Sequence, residues 1–135
     1  MKTQLLSRLE QAKSYTLNVA EIMPEVMYHF KPVDTIWNFK ELLHHIGYGI
    51  YWYGDNYLKK KDTEWMPPPP TADKTATITY LKAAFADLHV NIAGMNEDSE
   101  TINSVYAIFD HITHHRGQAT VYLRCSGIVP PEYVY

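Results

Sequence analysis

The sequence is poor in cysteine and in basic residues. Its single cysteine, Cys125, excludes an internal disulfide and fits a reducing compartment. Lys and Arg number 12 against 15 Asp and Glu, a formal net charge of −3, so we expect no nucleic-acid partner. No run approaches the roughly 20 apolar residues of a membrane span, and the first ten residues have no signal-peptide core. We therefore expect a cytoplasmic protein without a membrane partner.

Length and composition predict one folded domain over residues 1–135. The chain is 46% hydrophobic and 20% charged, an ordinary balance for a globular protein. A chain of this length can bury one hydrophobic core but is too short for two.

The apolar residues recur at helical spacing in four segments. Pro24 ends the first, and Asn38 followed by Glu41 predicts a capping box at the start of the second. Four consecutive prolines, 67–70, form a stiff connector before the third, and Gly127 is a natural stop for the fourth. No strand-like alternation competes. We predict an all-α, antiparallel four-helix bundle, with helices near 2–23, 38–60, 75–95 and 100–125.

The most informative segment is DHITHHRGQ, residues 110–118. His111 and His115 are four residues apart, which places both imidazoles on one side of a helix. A helical count from Val105 puts them about 120° and 80° from the apolar stripe, and His114 about 180° away, toward solvent. Two imidazoles one turn apart can bind one metal ion. They could equally be polar residues at the rim of a buried face.

A third ligand could come from His44 or His45 on the second helix. A helical count from Phe39 places His45 about 120° to one side of the apolar stripe and His44 about 140° to the other. Periodicity therefore does not choose between them. His29 and His89 are isolated in the sequence, and we interpret them as structural or surface residues.

Three neutral imidazoles would leave a divalent ion with an open coordination position. Such an ion lowers the pKa of a bound water or thiol. The sequence identifies no catalytic residue beyond the ligands: Ile112 stands where the metalloprotease motif His-Glu-x-x-His has its glutamate. Arg116 falls toward the apolar stripe, so we predict an ion pair with an acid on another helix.

Two motifs resemble the DinB/YfiT-like family of four-helix-bundle, metal-dependent enzymes. The first is MPEVMYHFKPVDTIWNFKELLHHI, residues 23–46, which matches the family's connector and the opening of its second helix. The second is HITHHRGQATVYLRCSGIVPPEY, residues 111–133, which matches its fourth-helix His-x-x-His-His-Arg-Gly-Gln pattern and its Gly-x-x-Pro-Pro ending. The resemblance covers nearly the whole chain.

The resemblance implies a metal triad of His45, His111 and His115. It implies a divalent ion, which we expect to be zinc or nickel, with iron or manganese as alternatives. It also implies a hydrolase or a transferase that uses a low-molecular-weight thiol, acting on a small-molecule substrate, and a homodimer. The alternative from a different class is a dimeric bundle that binds a metal or a small ligand without turnover.

Overall fold

A computed structural model of the chain describes residues 1–133, which contain four long helices and no strand. These are α1 (Lys2–Ile22), α2 (Phe39–Tyr53), α3 (Lys74–Gly94) and α4 (Ser99–Cys125). The prediction of an all-α, four-helix protein is confirmed. No helix in this part of the chain has the length and apolar character needed to span a membrane.

Side-chain caps fix where the helices begin. The Oδ1 atom of Asn38 accepts from the backbone N–H of Glu41 at 2.8 Å, and Glu41 accepts in return from the N–H of Asn38 at 2.8 Å. The predicted capping box is therefore present. Asp73 and Asp98 accept from backbone N–H groups in the first turns of α3 and α4. Each cap satisfies donors that a helix N-terminus otherwise leaves unpaired.

The α-helix of α2 ends earlier than predicted. It stops at Tyr53, and a π-helical turn, Gly54–Leu58, follows it. Lys60, the predicted end, has a positive φ of 55°. The apolar pattern continues through this region, so periodicity alone could not separate an α-helix from a π-helical turn.

All four helices contribute side chains to the core. Helix α2 packs against α3 on one side and against α4 on the other. Most of the predicted apolar stripe of α2 and all of that of α4 are buried; the buried members are Phe39, Leu42, Leu43, Ile46, Ile50, Val105, Phe109, Ile112, Ala119 and Leu123. Tyr57, the last residue of the predicted α2 stripe, is 42% exposed. Burial of each of these side chains larger than alanine stabilises the fold by about 1.5–3 kcal/mol. This packing fixes α2 and α4 side by side.

The connector between α2 and α3 is held against α2 by hydrogen bonds. The backbone of Thr63 is bound on both sides: its N–H donates to Asn56 Oδ1 at 2.8 Å, and its carbonyl accepts from Trp52 Nε1 at 3.0 Å. Three residues later, the N–H of Met66 donates to the Tyr48 hydroxyl at 2.8 Å. These bonds fix the position of Trp65 between them.

Arg116 lies among aromatic rings rather than beside an acid. Its side chain is buried, and its guanidinium carbon lies 4.8 Å from the ring centroid of Tyr15 and 5.5 Å from that of Tyr133. Within residues 1–133 it forms no ion pair, so the predicted ion pair is wrong. Cation–π attraction to the two rings stabilises the cation in place of an acid.

Candidate metal centre

Three imidazoles from two helices converge between α2 and α4. His45 comes from α2, and His111 and His115 come from successive turns of α4. The Nε2 atom of His45 lies 3.0 Å from that of His115 and 3.1 Å from that of His111. Candidate ligand atoms of all three residues lie within 4.8 Å of one another, an arrangement that could hold a metal ion.

The remaining histidines lie outside this cluster. His44 is buried on the other side of α2, where it stacks on Tyr80 with ring centroids 4.9 Å apart and planes 13° apart. His114, His29 and His89 are exposed. The choice between His44 and His45, which periodicity left open, is therefore made by the packing of α2 against α3 and α4.

A glycine on α2 makes room for His111. A Cβ atom at Gly49 would lie only 2.8 Å from both Nδ1 and Nε2 of the His111 ring, closer than real Cβ contacts come. The imidazole therefore rests directly on the α2 backbone. Gly47 accommodates the ring of Tyr80 in the same way. These two helical glycines are explained by close approach of a neighbouring side chain.

Burial keeps the three imidazoles neutral. Desolvation, followed by the neighbouring His115 and His45, lowers the pKa of His111 to about 3. Desolvation, followed by His115 and His44, lowers the pKa of His45 to about 4. Desolvation also lowers the pKa of His115, although its hydrogen bond to Gln118 opposes the shift. Neutral imidazole is the form that binds a metal ion.

Gln118 fixes the tautomer of His115. The amide oxygen Oε1 can only accept, so the Nδ1–H of His115 donates to it, at 2.8 Å. The Nε2 atom of His115 therefore carries a lone pair, directed at the other imidazoles. A hydrogen bond of this kind to the non-ligating nitrogen is typical of metal-binding histidines. In contrast, Nδ1 of His111 is buried and has no hydrogen-bond partner within residues 1–133.

Both short contacts of His45 depend on a single proton. The lone pair on His115 Nε2 requires a proton on His45 Nε2, and a nitrogen that carries a proton has no lone pair to accept from His111, so the two contacts can at most share one N–H. A cation among the three Nε2 atoms would satisfy all of them. Zinc–imidazole bonds of about 2.0–2.1 Å place tetrahedral neighbours about 3.3 Å apart, close to the observed 3.0 and 3.1 Å. The three residues thus fit a divalent ion that accepts imidazole ligands.

Aromatic side chains surround the histidines. The ring centroid of Trp37 lies 4.5 Å from that of His45, and that of Trp65 lies 5.6 Å from it. Tyr53 lies 5.2 Å from His111. Trp37 and Trp65 are 47% and 45% exposed, so they stand between the cluster and solvent. From the sequence, Trp37 stands out only as the tryptophan of the first family motif, residues 23–46. Trp65 does not stand out, because its contacts depend on how the α2–α3 connector folds.

A cleft of about 610 Å³ adjoins the cluster at His115. Its size is within the range of small-molecule sites. One wall is the connector before α2, fixed to α4 because the Tyr122 hydroxyl donates to the Trp37 carbonyl at 2.6 Å. The lining residues are Pro32, Asp34, Thr35, Ile36, Trp37, Leu42, His115, Gln118, Val121 and Tyr122.

Comparison with known proteins agrees with this description. Residues 88–135 match the model of the DinB family. The fold resembles the crystal structure of a DinB-like protein (YjoA) from Bacillus subtilis, with a TM-score of 0.76, 17% sequence identity and 96% of each chain covered. No match was found among curated protein sequences. The family match spans the C-terminal part of the chain and includes the second of the two motifs, residues 111–133. The likeness to the YjoA structure is one of fold.

Proposed function

We propose that the chain is a metal-dependent enzyme in which His45, His111 and His115 hold a divalent ion beside the substrate cleft. The observation that carries this proposal is the convergence of three neutral imidazoles at Nε2 separations of 3.0 and 3.1 Å. Zinc or nickel suits a ligand set made only of imidazoles, and iron and manganese are the alternatives.

When bound, the ion supplies Lewis acidity, which lowers the pKa of a water or thiol that it contacts. The protein's own residues prepare the site. Gln118 holds His115 in the tautomer that leaves Nε2 free. The rings of Trp37 and Trp65 pack against the ring of His45 and reduce the access of bulk water to it. The cleft brings a small molecule to His115.

The polar partners of the cluster favour transfer to a thiol over hydrolysis. Within residues 1–133, the imidazoles hydrogen-bond to one another and to Gln118, and no carboxylate pairs with any of them. Hydrolysis usually needs a general base to accept a proton from water. A thiol has a pKa near 8.5 and loses its proton more readily. We therefore propose that the thiolate of a low-molecular-weight thiol forms a bond to an electrophilic carbon of the substrate, while the bond from that carbon to its leaving group breaks and the leaving group takes up the thiol's proton. Hydrolysis is the second candidate.

Metal content is the first test. Protein purified without a metal-affinity tag should contain close to one divalent ion per chain by elemental analysis. The His111→Ala variant should lose this ion, because only two of the three imidazole ligands remain. The matched control is His114→Ala, which removes an exposed imidazole from the same helix and should keep the ion. Wild-type protein that takes up no zinc, nickel, iron or manganese contradicts the proposal.

Turnover is the second test. Esters, amides and electrophiles should be assayed with the metal-loaded protein, with and without cellular thiols. Turnover that requires the thiol supports transfer, and turnover without it supports hydrolysis. A protein that binds the ion but turns over nothing in either condition supports the non-catalytic alternative.

A further inference from the structure

Among residues 1–133, the cleft beside His115 is lined by a negatively charged side chain and by no positively charged one. Within the described chain, Asp34 is the one lining residue with a charged side chain, because the imidazole of His115 is neutral, and neither Lys nor Arg lines the cleft. Lys31, close by in sequence, donates from Nζ to the backbone oxygen of Asp34 at 3.0 Å and is not part of the lining. The other polar side chains, such as Thr35 and Gln118, are neutral.

The apolar part of the lining is large and partly exposed. Trp37, Ile36 and Val121 are 47%, 40% and 53% exposed, and all three line the cleft. Covering such surface stabilises a complex by about 25 cal/mol for each Å² buried. Carboxylates and phosphates, in contrast, are usually bound through Arg or Lys, and an anion placed here would lose water without gaining such a partner.

We propose that this cleft binds the neutral, aromatic or branched apolar part of the substrate and discriminates against anionic groups. This inference rests on the proposed function, since it names the class of molecule brought to the three histidines. Gln118 is placed to orient such a molecule, because its Oε1 accepts from His115 while its amide N–H groups can donate to a carbonyl oxygen. A neutral aromatic ester or amide has both features: an apolar ring and one acceptor.

The test compares two ligands of the same ring size. N-methyl-2-naphthamide is neutral, and 2-naphthalenesulfonate is an anion that coordinates metals weakly. Their dissociation constants should be measured by calorimetry with zinc-loaded and with chelator-treated protein. The comparison separates the effect of the zinc ion on binding from the effect of the charges in the cleft. We expect the amide to bind at least tenfold more tightly in both forms. Equal or tighter binding of the sulfonate to the chelator-treated protein overturns the proposal.

Two variants locate the binding to this cleft. Val121→Trp fills it from the exposed face of α4 and should weaken binding of the amide at least tenfold. The control is Val90→Trp, which replaces a valine of α3 that is 67% exposed and lies outside the cleft; it should bind as the wild type does. Indistinguishable behaviour of these two folded variants overturns the proposal. If Val121→Trp fails to fold, Asp34→Arg on the connector tests the charge instead, and should improve sulfonate binding at least tenfold.

The same measurements separate this inference from the proposed function. Protein that binds no metal but selects the amide supports the cleft assignment while contradicting the metal proposal. Protein that binds zinc but does not select the amide contradicts only the cleft assignment. Sedimentation adds one more outcome. If the protein is a dimer that Val121→Trp dissociates and Val90→Trp leaves intact, a second copy of the chain occupies the cleft. That result would overturn the proposal.

Discussion

The imidazole of His111 rests on the backbone of α2 at Gly49. A single methyl group added at this glycine would overlap the ring, with distances of 2.8 Å to both of its nitrogen atoms. The position of one proposed ligand on α4 is thus set by the absence of a side chain on α2.

Gly49→Ala should therefore disturb the cluster more than the fold. The added methyl improves helix propensity by about 1 kcal/mol, whereas overpacking costs about 1–3 kcal/mol, so the net loss of stability should be small. The ring of His111 must move, and zinc affinity should fall at least about tenfold. Competition with a chromophoric chelator measures the affinity, and urea denaturation measures the stability.

Gly117→Ala is the matched control for this substitution. Gly117 lies in α4, and a Cβ atom there would meet no atom within 4 Å. This variant should gain about 0.5–1 kcal/mol in stability and bind zinc as the wild type does. If Gly49→Ala also keeps wild-type zinc affinity, His111 does not depend on the glycine as proposed.

Gln118→Ala should weaken metal binding without removing a ligand. It leaves Nδ1 of His115 without the acceptor that now lies at 2.8 Å, so the ring loses its fixed tautomer and orientation. Loss of such a supporting hydrogen bond typically lowers metal affinity about 10–100-fold. Gln118→Glu retains an acceptor and should bind zinc at least as tightly as the wild type. Equal affinities of the alanine and glutamate variants would contradict this role.

Asn56→Ala should loosen the connector that carries Trp65. Asn56 accepts from Thr63 at 2.8 Å and donates to the Trp52 carbonyl at 2.9 Å. Each hydrogen bond stabilises the fold by about 0.5–1.5 kcal/mol, so a total loss of about 1–3 kcal/mol is expected in urea denaturation. Tryptophan fluorescence should shift to the red as Trp65 gains contact with water. Asn18→Ala, at an exposed position of α1, should change neither.

Arg116→Lys should destabilise the protein although it preserves the charge. The guanidinium carbon lies over the rings of Tyr15 and Tyr133, 4.8 and 5.5 Å from their centroids, and a compact, strongly hydrated ammonium group replaces it poorly in a buried position. We expect a loss of about 1–2 kcal/mol. Arg124→Lys, at an exposed position of the same helix, should change stability by less than about 0.5 kcal/mol. Equal effects of the two substitutions would show that the aromatic contacts of the guanidinium contribute little.

Local patterns predicted the helices and two of the three histidines of the cluster. The capping box at Asn38 depends on residues three apart, and the same-side placement of His111 and His115 depends only on helical geometry. The choice of His45 over His44 depends on how α2 packs against its neighbours, and it followed from the family resemblance. The position of Trp65 and the aromatic partners of Arg116 arise from contacts between distant segments, which periodicity does not encode.

The three histidines also link two helices that are far apart in sequence. His45 is separated from His111 by 66 positions and from His115 by 70. An ion bound to all three would bridge α2 and α4 in the folded chain. In the unfolded chain the three histidines would not form this site. At an ion concentration 1,000 times the dissociation constant, this linkage adds about 4 kcal/mol to the free energy of unfolding. The melting temperature of the bundle would then increase with the concentration of free metal ion in the solution around it.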